Sequence, residues 1–325
     1  MPVASKTLLV TGATGFFGRH LIPYLAARGY RVLAATRRDA VLGEGINVII
    51  VGDLSQNIDW ARHVEGVDAV VHLAALAHVT SVIPEPEYDK INRQATIRLA
   101  KAAKAAGARF VFMSSIAAQS GPSAEHILTE ENLPSPTTAY GRAKLRAEQE
   151  IAASNNHYVI LRPTLTYGTG VIGNMNRIVR LATLRIPPPF GSIRNQRSLL
   201  AIENMCDAVD FVLTSDAARN QIFLLSDPEP ISVAEMVAFI RLGAGLGGGG
   251  IPVPPALMST MLTLLGRREL WDKIGGNLIT SVAKLGRMGF QWKINTPEGL
   301  RALGAASTGA ALKARPVKAA ISAYP

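Results

Sequence analysis

Through the first half of the chain, apolar residues fall in short, nearly unbroken runs. Residues 7–11, 31–36, 48–51, 69–73, 109–114 and 158–162 read as strands without polar alternation. That pattern is expected where both faces of a sheet are covered. Between these runs, apolar positions recur at helical spacing over 15–28, from about 87 to 106, and over 138–154. Alternating strands and helices predict an α/β fold built on a doubly wound parallel sheet.

After Arg162 the regularity loosens. Pro187-Pro188-Pro189 and Gly247-Gly248-Gly249-Gly250 interrupt it, and helical spacing dominates. Ser232-Val233-Ala234-Glu235 has the form of a capping box that opens a helix. The expected organisation is a nucleotide-binding domain over 1–164 and a smaller, mostly helical substrate lobe over 165–304, part of which returns to the sheet. The Ala/Gly/Lys-rich tail, 305–325, has no periodicity and is expected to be disordered.

Composition narrows the function. The 325 residues carry a net charge of +10, but Lys and Arg are scattered and no basic run is interleaved with aromatics. A nucleic-acid partner is therefore not expected, and the surplus suits anionic phosphates equally well. The single cysteine, Cys206, excludes an internal disulfide framework and sits in a helix-like stretch, as a buried thiol would. No metal site is expected, and Glu130 and Glu131 show no paired arrangement. No apolar run reaches the ~20 residues of a membrane span, and no signal-like segment opens the chain. A cytoplasmic protein with no membrane partner is expected, with the short apolar stretch 256–265 packed into the smaller lobe.

Gly12, Gly15 and Gly18 fall between the first strand and the first helix in the order G-x-x-G-x-x-G. Glycines there permit a tight turn and close backbone approach, and a helix N-terminus offers free N–H groups to a pyrophosphate. Asp53, in Gly52-Asp53-Leu54 after the third strand, could reach an adenine amino group or could cap a helix. Leu73, Ala74 and Ala75 end the fourth strand with residues small enough for a ribose or flat ring to lie against. Neighbouring His72 reads as structural. The second strand ends Ala35-Thr36-Arg37-Arg38. Arg37 can pair with a 2′-phosphate where an NAD site prefers an acid, so NADP(H) is favoured within an NAD(P) assignment.

Tyr140 and Lys144 are four residues apart and share a helix face. A free tyrosine, with a pKa near ~10, is a poor acid or base at neutral pH. A cation alongside would lower that value and tune it for proton transfer.

Taken together, Thr11 to Gly18, Asp53-Leu54, His72 to Ala75, Asn92, Ser114-Ser115, Tyr140 to Lys144, Arg162-Pro163 and Tyr167-Gly168 resemble the extended short-chain dehydrogenase/reductase superfamily. The resemblance is strongest to its nucleotide-sugar epimerase/dehydratase branch. It implies a Rossmann domain that holds NAD(P) through Gly12, Thr14, Gly15, Phe16, Phe17, Gly18, Arg37, Asp53, Leu54, Leu73, Ala74, Ala75, Ser114 and Pro163. It also implies that Asn92 supports the active-site backbone and that Tyr140 is the proton donor/acceptor. Lys144 would hold the nicotinamide ribose and lower the Tyr140 pKa, and Ser115 would bond the reacting sugar oxygen. Asn174 and Arg197 would grip the nucleotide diphosphate of a UDP-sugar. A homodimer is implied through the helices near 87–106 and 138–154. The apolar spacing of Leu99, Ala102, Ala103 and Ala106 suits that contact or a covering of the sheet.

Dehydratases of this branch carry Asp-Glu directly after the active-site Ser/Thr. Ile116 and Ala117 stand there instead and can move no proton, so a 4,6-dehydratase is not expected. A UDP-4-keto-6-deoxy-N-acetylhexosamine 4-ketoreductase fits first, supported by similarity to such reductases around Phe190 to Leu199. A UDP-glucose/UDP-N-acetylglucosamine 4-epimerase with tightly bound NAD stays open. So do a hydroxysteroid- or flavonoid-type ketone substrate and a non-catalytic NADP-binding sensor or assembly protein. His78, after the fourth strand, could face the sugar but reads first as a loop histidine.

Overall fold

The computed structural model describes residues 6–77, 83–154 and 157–308; His78 and the tail from 309 lie outside them. Seven parallel strands form the central sheet: β1 (Thr7–Thr11), β2 (Arg31–Thr36), β3 (Asn47–Ile50), β4 (Ala69–His72), β5 (Arg109–Met113), β6 (Tyr158–Pro163) and, after a short pair β7 (Leu165–Tyr167) and β8 (Leu199–Ala201), β9 (Gln221–Leu225). Their order is β3-β2-β1-β4-β5-β6-β9. The order reverses between β1 and β4, whose ends are in register with Thr11 opposite His72. In open α/β sheets that reversal opens the crevice in which ligands bind.

The helices are α1 (Phe16–Ala27), α2 (Ala61–Val64), α3 (Glu85–Tyr88), α4 (Thr96–Ala105), α5 (Ala139–Ala153), α6 (Gly173–Ala182), α7 (Ile202–Thr214), α8 (Val233–Gly243), α9 (Pro255–Leu264), α10 (Arg268–Gly275), α11 (Ala283–Arg287) and α12 (Thr296–Ser307). A π-helical segment, Asp89–Ala95, joins α3 to α4 without a break.

Two-residue periodicity divides the strand side chains between two cores. Leu8, Val10, Val71, Val111 and Leu161 pack with α1 and α7. Leu9, Val70, Phe110, Phe112 and Ile160 pack with α2, α4 and α5. Both faces are dry, which explains why the strands read as unbroken apolar runs. Leu99 and Ala103 are buried in the second of these cores, so their spacing serves the sheet. Cys206 is buried among the α7 side chains of the first core, as expected.

Past residue 164 the chain builds a third core from β7, β8, α6, α8 and α12 and returns to the sheet through α7 and β9. The predicted capping box at Ser232 and Glu235 is present on α8. Two expectations need correction. Helix α12 continues through Ser307, beyond the boundary expected at 305. Residues 256–265 do form a helix, but Leu257, Met261, Leu264 and Leu265 are exposed and only Met258 is buried. Ser259, Thr260 and Thr263 make one side of the helix polar, and of its apolar side chains the lobe takes only Met258 fully.

Candidate active site

Gly12, Arg37, Leu73 and Ser114 each directly follow the last residue of a strand, β1, β2, β4 and β5 respectively. At Gly12, φ is +70°, and a Cβ there would lie 2.7 Å from the Ala74 nitrogen. A Cβ at Gly18 would lie 2.4 Å from the Gly12 carbonyl oxygen, whereas one at Gly15 would approach nothing closer than 3.2 Å. Gly12 and Gly18 thus close the turn against itself and against the segment after β4. Gly15 caps α1 without any side-chain hydrogen bond to the helix's first N–H groups, and Thr14 and Gly15 are exposed. Uncapped N–H groups at the open edge of a parallel sheet suit a pyrophosphate. Phe16 sits within 3.7 Å of where a Gly168 Cβ would be, so the turn touches the second lobe.

His72 has the structural role expected of it. The Thr96 hydroxyl donates to the Asn92 carbonyl (3.0 Å) and therefore accepts from His72 Nε2 (3.0 Å). His72 Nδ1 then accepts from the Thr11 hydroxyl at 2.6 Å. Burial, reinforced by the Lys144 charge, pushes the imidazole pKa down to about 3, so the ring is neutral. Asn92 lies in the π-helical segment, fully buried. Its Oδ1 accepts from the Leu76 N–H (2.7 Å) and its Nδ2 donates to the Leu76 carbonyl (2.9 Å). It therefore pins the segment after β4 that carries Leu73, Ala74 and Ala75.

Ser115 caps a short 3-10 turn, Ile116–Ala118, with its Oγ accepting from the Ala117 N–H at 3.1 Å. Thr138 caps α5 by accepting from the Gly141 N–H at 3.0 Å. This sets Tyr140 in the first turn, where its phenol is hydrogen-bonded to Ser115. Burial raises the phenol pKa to about 12, with Tyr88 adding and Ser115 opposing. Lys144, one turn on, is 1 % exposed. Its Nζ donates to the Met113 carbonyl (2.8 Å) and stands 4.4 Å from the Phe112 ring centre. Burial presses the ammonium pKa down to about 7 against the pull of Glu148. Desolvation dominates both groups, so the Tyr140 pKa stands above its ordinary value where a lowering by Lys144 was expected.

Beneath these residues lies a polar network that sequence reasoning missed. Glu148, the next turn of α5, is 2 % exposed and takes the guanidinium of Arg162, with Nε 3.1 and 3.0 Å from its two oxygens. The Ser114 hydroxyl also donates to Glu148, and Arg162 donates to Gln119 Oε1. Ser114 is therefore turned into this network. The i, i+4, i+8 stripe of Tyr140, Lys144 and Glu148 was available as a signal, because a third polar residue on a helix face otherwise buried needs a partner. Gly141 was missed too: a Cβ there would lie 2.1 Å from the Ala117 oxygen.

The remaining predicted residues are spread more widely. Asp53 heads a turn, accepting from the Ser55 N–H at 2.8 Å, and stands 3.6 Å from the Arg37 guanidinium, the two side chains 45 % and 65 % exposed. Those bonds, the Ser55 backbone first, hold its carboxyl below the usual range. Asn174 is exposed in the first turn of α6. Arg197 is buried and donates to the carbonyls of Pro122 (3.2 Å) and Gly276 (2.8 Å). Among the described residues, no group of three His, Cys, Asp or Glu could hold a metal.

Comparison with known proteins accords with this geometry. The chain is 33% identical to a UDP-glucose 4-epimerase of Vibrio cholerae over 288 residues, 86% of this chain and 88% of that protein. The structure of MoeE5 in complex with UDP-glucose and NAD superposes with a TM-score of 0.70 at 26% identity, covering 92% of this chain and 97% of that one. Epimerase Mth375 from Methanothermobacter thermautotrophicus gives a TM-score of 0.76 at 22% identity, covering 92% and 91%, a likeness of fold. The glycine turn, the Ser115–Tyr140 pair and the sheet that carries them all fall within residues 8–225, which match the NAD dependent epimerase/dehydratase family, and the chain belongs to that family.

Proposed function

We propose that the chain reduces the C4 ketone of a UDP-4-keto-6-deoxy-N-acetylhexosamine to an alcohol with NAD(P)H. One observation carries this reading: the first turn of α5, which holds Tyr140, is seated directly on the 3-10 turn that Ser115 caps, so phenol and hydroxyl are presented together at the end of β5. A phenol held there can give its proton to a carbonyl oxygen as hydride arrives. The bound dinucleotide would supply the hydride to C4. Tyr140 gives its proton to the C4 oxygen, and Ser115 holds that oxygen in place. Lys144 lines the nicotinamide side, with the Ser114 hydroxyl turned to Glu148 behind it, Gly12 to Gly18 cradle the pyrophosphate, and Leu54 and Pro163 border the cofactor cleft. A cavity of about 370 Å³ beside the site is lined by Gln119, Ser120, His126, Asn132 and Thr137, a polar set suited to a sugar. Asn174 and Arg197 are assigned to the diphosphate, and a homodimer is expected.

A UDP-glucose 4-epimerase is the second reading, favoured by the match to the Vibrio cholerae enzyme along 86% of the chain. The MoeE5 complex supports NAD and a UDP-sugar as ligands under either reading. A non-catalytic role is disfavoured, because both Tyr140 and Lys144 are present and converge on one site.

The test is an anaerobic assay of the reduced-nicotinamide absorbance with NADPH or NADH and UDP-4-keto-6-deoxy-N-acetylglucosamine. Stoichiometric oxidation is the expected result. No oxidation, with UDP-galactose converted to UDP-glucose without added cofactor, replaces the reductase by the epimerase.

A further inference from the structure

Two long stretches of the second lobe contain no acidic residue. Residues 165–202 carry five arginines and no Asp or Glu, and residues 236–268 carry three arginines and again no acid. The structure laces these stretches together. The Ile251 N–H donates to the Pro188 carbonyl (2.9 Å), the Gly191 N–H to the Ile251 carbonyl (3.0 Å), and Arg241 to the Leu184 carbonyl (2.8 Å).

The same region exposes large apolar side chains. On α9, Leu257, Met261, Leu264 and Leu265 follow i, i+4, i+7, i+8 spacing, and Leu264 is 82 % exposed. They form one exposed apolar stripe adjoining Met258, which packs with Ile193 and Val233. Ile186, on the partner stretch, is 74 % exposed. Arg180 and Arg185 on the one stretch and Arg267 and Arg268 on the other are exposed, and none is in an ion pair among the described residues. Acids return only with Glu269 and Asp272 on α10.

We propose that this face docks the protein on an anionic lipid bilayer, with α9 lying in the interface and the arginines against the headgroups. An exposed apolar stripe on a stretch that holds arginines and, up to Glu269, no carboxylate is the composition by which a helix binds a charged membrane surface without crossing it. A second copy fits less well, because a two-fold contact would bring the same cationic patch against itself. The membrane contact proposed is peripheral and replaces the expectation of no membrane partner. It is independent of the reaction at Tyr140.

The experiment is co-sedimentation of the full chain with phosphatidylcholine vesicles, with and without phosphatidylglycerol. Binding is expected to the anionic vesicles only and to weaken with salt. Leu264→Glu/Leu265→Glu and Arg267→Glu/Arg268→Glu should each reduce it by about tenfold or more. All variants should keep the far-UV circular dichroism and nucleotide-sugar turnover of the parent, because these side chains lie at the surface. No binding to anionic vesicles, or binding unchanged in both variants, overturns the proposal. A concentration-dependent doubling of mass that Leu264→Glu/Leu265→Glu abolishes also overturns it, by giving the face to a second copy.

Discussion

Gly141 stands so near the carbonyl of Ala117 that a Cβ in its place would come within 2.1 Å of the oxygen. Helix α5 and the 3-10 turn after Ser115 can therefore meet only because residue 141 has no side chain. The contact is between backbones, so neither partner can yield by changing rotamer. Gly141→Ala should push the first turn of α5 away from Ser115 and loosen the Tyr140 hydrogen bond. A displacement of about 1 Å at a reacting group can cost on the order of 10²-fold in rate. A loss of that order in kcat is expected, with the glycine-turn end of the cofactor site undisturbed. A variant turning over within a factor of about two would mean that α5 is seated elsewhere.

Tyr140→Phe removes the phenolic proton and leaves the ring, with its edge contact to Tyr88 at 6.3 Å, in place. General acid catalysis by a positioned group is worth about 10²–10⁴-fold. Turnover should fall by that much while cofactor affinity, measured by titration, stays close to wild type. Retention of a near-parental rate would remove Tyr140 as the proton donor.

The buried pair Glu148 and Arg162 should behave as a unit. Losing one partner leaves an uncompensated charge in the core, which typically costs about 3–5 kcal/mol. Glu148→Gln and Arg162→Met should each show a loss of that order in urea unfolding. Their combination should cost less than the sum of the two, because it strands no charge. Additive losses in the double-mutant cycle would show that the two side chains are held independently.

Arg37 tests the cofactor's phosphate. It is 65 % exposed and only loosely engaged with Asp53 at 3.6 Å, so little must be broken to free it. A charge-assisted hydrogen bond is worth about 1.5–3 kcal/mol, and Arg37→Ala should weaken NADPH by about tenfold or more while leaving NADH nearly unchanged. Equal effects on the two, read from their dissociation constants, would take away the basis for favouring NADP(H).

The strands, the glycine turn and the Tyr140 helix were legible because each is encoded locally. A buried parallel strand is a short apolar run, a phosphate turn is a glycine spacing, and a Tyr–Lys pair at i, i+4 is one helix face. The Glu148–Arg162 pair was not, because its partners lie on different elements and only β6 packing beside α5 brings them together. The Gly141–Ala117 contact was equally hidden: nothing near Gly141 in sequence reveals a carbonyl arriving from residue 117. The solvent-facing side of α9 was misjudged for a third reason. A short run rich in Leu and Met looks like core, and sequence cannot tell which of its apolar side chains the fold leaves uncovered. The raised Tyr140 pKa was hidden because charge proximity is visible at i, i+4 spacing, whereas desolvation depends on what closes over the pair.

Lys144 gives the pH dependence its sign. The ordinary lysine value is 10.5, and burial brings it to about 7 in the folded chain. Below about pH 7 the ammonium is protonated in both states, and its burial cost is felt in full. Between about pH 7 and 10.5 the unfolded chain holds a proton that the folded one has released, so stability rises with pH. Tyr140 works in the opposite direction, since its folded value lies near 12 against an ordinary 10.0, and this closes the useful window near about pH 10. Lys144→Met lacks the titrating group but keeps the buried stem. The unfolding free energy of the wild type minus that of Lys144→Met should therefore climb between about pH 7 and pH 10 when both are unfolded in urea. A difference flat across that range would mean the ammonium keeps its charge beneath Phe112, and Lys144 could then act on Tyr140 as a full cation after all.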